Sequence, residues 1–178
     1  MERMGISNIR LLPLALSQYR DKFSTCYIDY LSPEFVRNEN DYWQQGYCSL
    51  CSGFFTGNKE LMTLVCQLAL EKFIYYLDQY RGHSDEQIQL KVYLDNPDLF
   101  YFYYGDYLSM ISNYVYVHQQ AEYVLYNFIN HSFEHKNYTK CLEACEFLIQ
   151  SLKLKKCKLS EDDIKQLAHY YLQCKLLQ

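Results

Sequence analysis

The sequence predicts an all-α protein: a single domain over residues 1–178, with seven or eight helices packed as antiparallel helical hairpins. Three observations predict it. Six glycines and three prolines in 178 residues leave few points at which the chain is interrupted, so the elements between them are long. Apolar residues recur at spacings of three and four along most of the chain, the period of one helix face. Serine, asparagine or aspartate stands before most of these runs, at the position that caps a helix.

A first helix is expected over residues 14–31. Ser32-Pro33-Glu34 then reads as a helix start, with a capping hydroxyl, a proline whose missing N–H costs nothing there, and an acid in the first turn. A break near Asn38-Glu39-Asn40 is followed by a helix over residues 41–55. Thr56-Gly57-Asn58 is a turn, and Asn58 caps a helix over residues 59–81 that ends at Gly82. Its expected inner face includes Met62, Val65, Cys66, Ala69, Phe73 and Tyr76.

Ser84-Asp85-Glu86-Gln87 has capping-box spacing and opens a short helix that stops before Pro97. Asn96-Pro97-Asp98 starts the next helix, which holds the densest aromatic run, Leu99-Phe100-Tyr101-Phe102-Tyr103-Tyr104-Gly105-Asp106-Tyr107. Phe100, Tyr104, Tyr107, Ile111, Tyr114 and His118 form one stripe, and Tyr101, Leu108 and Val115 a second. Such wide apolar coverage predicts a central, buried helix. A strand competes at Tyr114-Val115-Tyr116-Val117, where β-branched and aromatic residues cluster. Further helices are expected over residues 119–135, from Asn137-Tyr138-Thr139, and from Ser160-Glu161-Asp162-Asp163. In the second of these, Cys141, Cys145, Leu148, Ile149 and Leu152 face inward and Glu143, Glu146 and Gln150 outward. Residues 98–135 are expected to form one helical hairpin and residues 138–176 a second, with 41–81 an earlier one.

Composition narrows function. The net charge of −4 offers no electrostatic footprint for nucleic acid. The longest uncharged stretch, residues 42–58, carries two glutamines and three glycines, so no membrane span is expected. Eight cysteines with no secretory leader, mostly on apolar helix faces, read as thiols in a reducing, cytoplasmic compartment.

Two motifs carry candidate chemistry. His131-Ser132-Phe133-Glu134-His135 matches H-x-x-E-H, in which histidines four apart on a helix hold zinc and the glutamate acts as base. It lacks an evident third protein ligand. Cys48-Ser49-Leu50-Cys51 is a C-x-x-C, which as a redox pair requires a helix N-terminus after a strand and a lowered thiol pKa. A metal- or thiol-dependent enzyme built on one of these is the alternative reading.

The leading expectation is a non-enzymatic module without a cofactor that binds another protein. Twenty tyrosines and ten phenylalanines are many for one core of this size, and tyrosine and tryptophan are enriched at interface anchors. The only tryptophan, Trp43, lies among acids, so Glu39, Asp41, Tyr42, Trp43 and Tyr47 are the candidate partner-binding residues. The acidic balance suits a basic partner, as for an immunity-protein-like neutraliser; an effector or adaptor is a sibling of the same class.

Overall fold

The computed structural model describes Leu16 and residues 20–82, 84–115, 121–154 and 157–178. The part of the expected first helix that precedes residue 20 (Leu16 excepted), His118, and Tyr116 and Val117 of the Tyr114–Val117 segment lie outside these residues.

Among the described residues, three strands are interleaved with eight helices. In chain order they are β1 (Phe23–Tyr27), α1 (Pro33–Arg37), α2 (Glu39–Gln45), β2 (Leu50–Thr56), α3 (Lys59–Leu77), α4 (Asp85–Asp95), β3 (Phe100–Tyr104) and α5 (Met110–Tyr114). There follow α6 (Ala121–Tyr123, a π-helical Val124–Ile129 and Asn130–Glu134), α7 (Tyr138–Lys153) and α8 (Glu161–Leu177). The all-α expectation is therefore overturned by a mixed sheet of order β2-β1-β3. β1 runs antiparallel to β2 and parallel to β3, with Phe23 opposite Phe100 and Tyr27 opposite Tyr104.

Each error has a local cause. β1 is buried at all five residues, because helices cover both faces of the sheet; a strand with no wet face shows no alternation to betray it. α2 ends early because Gly46 adopts a left-handed conformation (φ +61°) at its C-terminus, and the chain re-enters as β2. The aromatic run is a strand, not the centre of a helix. Phe100, Phe102 and Tyr104 project to one face and Tyr103 to the other. The first set packs with Tyr27 against Tyr93 of α4, Phe128 of α6 and Phe147 of α7, with ring centroids 4.7–5.5 Å apart for the Tyr93–Phe102, Tyr104–Phe128 and Tyr104–Phe147 pairs. On the other face Tyr103 meets Tyr114 of α5 at 5.1 Å and Phe54 of β2 at 6.5 Å.

The helix starts follow the caps. Ser32, Asn58, Ser84, Asn137 and Ser160 each accept from a backbone N–H of the first turn, and at Ser160 the box is completed by Asp163. α7 and α8 form the one long antiparallel hairpin that the expected pairing shares with the structure. Within α6 the π turn leaves the Ile129 carbonyl to accept from Ser132 Oγ at 3.0 Å and from Cys141 Sγ at 3.5 Å. Among the described residues no helix is long and apolar enough to cross a membrane.

Candidate functional site

The acidic-aromatic segment folds inward. Tyr42 is fully buried and Trp43 is 6% exposed. The Tyr42 hydroxyl donates to Gln87 O at 2.8 Å, while Gln87 Nε2 donates back to Tyr42 O at 2.9 Å. With Tyr76 of α3 the two rings surround Lys91 of α4, whose Nζ lies 5.0 Å from the Tyr42 centroid, 5.8 Å from Trp43 and 5.6 Å from Tyr76. The same Nζ donates to Val36 O at 2.7 Å and lies 3.7 Å from Glu39 Oε1. Burial lowers the Lys91 pKa, and the Glu39 charge opposes that shift. Glu39 also accepts from Arg81 and, at 3.2 Å, from the Tyr76 hydroxyl. Of the five predicted partner-binding residues, those that reach solvent are Asp41, half of Tyr47 and part of Glu39.

The two motifs occupy a helix end and a loop leading into a strand. His131, Glu134 and His135 are exposed along the last segment of α6 and its end, Glu134 accepts from Asn130 Nδ2 at 3.0 Å, and the His135 ring tilts against Tyr30 at 5.8 Å. Among the described residues no group of three or more His, Cys, Asp and Glu is placed to hold a metal ion. Cys48 lies in the loop before β2 and Cys51 within the strand, so neither occupies a helix N-terminus. Partial burial, and then the Glu86 charge, push the Cys48 thiol up, the reverse of what a redox pair needs.

A third place has the shape of a binding site. β3 is an edge strand: β1 takes one side, and among the described residues no strand takes the other. A groove of about 580 Å³ runs between β3 and α7. Phe100, Phe102 and Tyr104 from the strand and Phe147 from the helix form its floor, and Lys140, Glu143, Glu146 and Gln150 line the α7 side. The strand begins there because Pro97 opens a short 3₁₀ turn and turns the chain out of α4. It ends at Gly105, where a Cβ would collide with the buried Asn113 side chain.

The polar groups of the groove are held in place. Lys140 Nζ sits 5.0 Å over the Phe102 ring and 5.4 Å over Tyr93, and donates to Glu143 Oε2 at 2.7 Å. The Tyr104 hydroxyl donates to the same oxygen at 3.1 Å. Burial, then the Glu143 charge, raise the Tyr104 phenol well above its ordinary value, so it stays a donor. Lys22 donates to Asp98 O at the strand's entry, and Glu146 pairs with Lys175 of α8 at 3.2 Å. Among the described residues that line the groove there are aromatic rings, lysines and carboxylates, and no serine, cysteine or histidine.

Glu143, Glu146 and Gln150 occupy the outward face of α7 that the helical period assigns them. The sequence reading missed the groove because it placed the aromatic run in a buried helix. The usable signal was a proline followed by an all-aromatic run of strand length. No family model matches the chain, and no curated protein or solved structure matches it either.

Proposed function

We propose that this protein is a non-enzymatic binding module that receives an extended segment of a partner protein along β3, in the groove closed by α7. The observation that supports this reading most is that β3 is the edge strand of the sheet among the described residues and lies beside an aromatic floor. An edge strand is a template for another strand, and such an addition draws affinity from the backbone and specificity from alternate side chains. An incoming strand would place every second side chain over Phe102 and Phe147. Glu143, Glu146 and the net charge of −4 favour a segment bearing Lys or Arg beside its apolar positions. This agrees with a basic partner, and with a neutraliser or adaptor in a reducing compartment.

Random-peptide display against the whole protein tests it. Enriched peptides should alternate apolar and basic residues. N-methylation of one backbone amide at a time should weaken binding at least tenfold (about 1.4 kcal/mol) at every second position and little between them. Glu146→Lys should reduce affinity for the basic peptides. A flat response to N-methylation, or no enriched peptide, refutes strand addition.

A further inference from the structure

α3 carries a second surface, on the far side of its helix from the core. Its inner face packs through Val65 and Tyr76, with Leu61, Met62, Leu68 and Ala69 partly covered. Its outer face is apolar and exposed: Leu70 is 59% exposed, Phe73 43%, Ile74 51% and Leu77 54%, beside an exposed Cys66. With 3.6 residues per turn, Thr63, Cys66, Leu70, Phe73, Ile74 and Leu77 fall within an arc of about 100°. Thr63, Cys66, Leu70, Phe73 and Leu77 alternate steps of three and four, which is the seam spacing of paired helices. The sequence reading had placed Cys66 and Phe73 inside.

We propose that this face pairs two copies of the chain, with their α3 helices antiparallel about a two-fold axis near Leu70. Three features select a second copy over other occupants. The stripe is self-complementary: with Leu70 on the axis, Cys66 of one copy meets Ile74 of the other and Thr63 meets Leu77. The ends match in charge, because Lys59 opens α3 and the exposed Asp78 closes it, and the antiparallel arrangement brings them together. The exposed area is sufficient: at roughly 100 Å² per side chain, the six expose roughly 600 Å² per copy, and burying them in a pair exceeds the roughly 1,000 Å² of a specific interface. A lipid surface fits less well. α3 carries two lysines against two glutamates, whereas helices that lie on membranes have a strongly basic polar face. One hollow of about 390 Å³ lies on the stripe between Met62 and Leu70 and another of about 570 Å³ beside it between Phe73 and Ile88 of α4, and they give it the relief that interdigitating side chains need.

Sedimentation equilibrium of the full chain at increasing concentration is the test. Wild type should approach twice its 21.4 kDa mass at micromolar concentration, and Leu70→Asp with Phe73→Asp should hold it at the monomer mass with unchanged circular dichroism. Should the double variant misfold, Ile74→Arg alone should raise the dimer dissociation constant at least tenfold. A wild type that stays monomeric up to about 500 µM overturns the pairing, as does a dimer that survives both variants. Flotation of monomeric wild type with phosphatidylserine vesicles assigns the face to lipid and also overturns it. The peptide-display experiment is independent, since none of these residues lines the β3 groove.

Discussion

Raising the pH should unfold this protein through its tyrosines. Tyr27, Tyr42 and Tyr104 are each no more than 2% exposed, and burial, the largest cause for all three, pushes their phenols far above the ordinary value of 10.0. A raised folded pKa means that the folded state holds its proton where the unfolded chain has released it. The stability these groups contribute is complete below pH 10 and falls as pH rises beyond it. Each fully sealed phenol then costs about 1.4 kcal/mol at about pH 11 and about 2.7 kcal/mol at about pH 12. The three together amount to about 4 and about 8 kcal/mol, against a total stability of roughly 5–15 kcal/mol for a domain. A cooperative alkaline transition between about pH 11 and 12 follows. Phenolate absorbance and far-ultraviolet circular dichroism, followed in one titration, measure it. The phenolate signal of the buried rings should appear together with the loss of helix. Tyr27→Phe removes one contribution and should move the midpoint to higher pH. If all the tyrosines ionise while the helical signal persists, the rings are not sealed and the reasoning fails.

Three further outcomes are expected. Lys91 is held below its ordinary 10.5 by burial, so its charged form strains the fold and wild-type stability should rise as pH climbs towards 10; Lys91→Met should abolish that rise and lie within about 2 kcal/mol of wild type at neutral pH, and a loss above about 3 kcal/mol in urea melts would contradict it. Ser160→Ala removes the cap of α8 and should cost about 1 kcal/mol, read as a lower thermal midpoint. Gly105→Ala forces a methyl into the Asn113 side chain, which donates to Asp106 O at 3.1 Å, and should cost about 1–3 kcal/mol by chemical denaturation; a neutral result would show that Asn113 moves freely.

Helix starts were legible because a cap is a local device: a side chain three residues away satisfies an amide, and the residues that do so are few. Ser32-Pro33, Asn58, Ser84 and Ser160 announce their helices in the order of the chain itself. The strands were not legible. Phe100 to Tyr104 is apolar at every position, and a run with no polar residue satisfies a period of 2 and a period of 3.6 equally. Phe23 to Tyr27 carries Ser24 and Thr25, yet both are buried, and Thr25 donates to Cys51 O at 2.7 Å, so polarity there marks a hydrogen bond and not a wet face. Trp43 illustrates the converse. Its acidic neighbours suggested a rim around an exposed anchor, but Glu39 serves Arg81, Tyr76 and Lys91, partners separated from it by more than thirty residues in the chain. Such a long-range ion cluster leaves no trace in local spacing. The groove followed the same rule: its α7 side was readable from the helical period, and its β3 side was hidden with the strand.

The central position of β1 has a consequence for synthesis. This strand leaves the ribosome before its parallel neighbour, which begins 77 residues later, at Phe100 opposite Phe23. At roughly 5–20 residues per second, about 4–15 s pass before that partner exists. During the interval one side of β1 has only β2 to pair with, and its phenylalanine, cysteine and tyrosine lack the helices that later cover them. Nascent chains should therefore be sticky until β3 has been translated, and chaperone occupancy on stalled chains should fall sharply once residue 104 and α7 have cleared the exit tunnel.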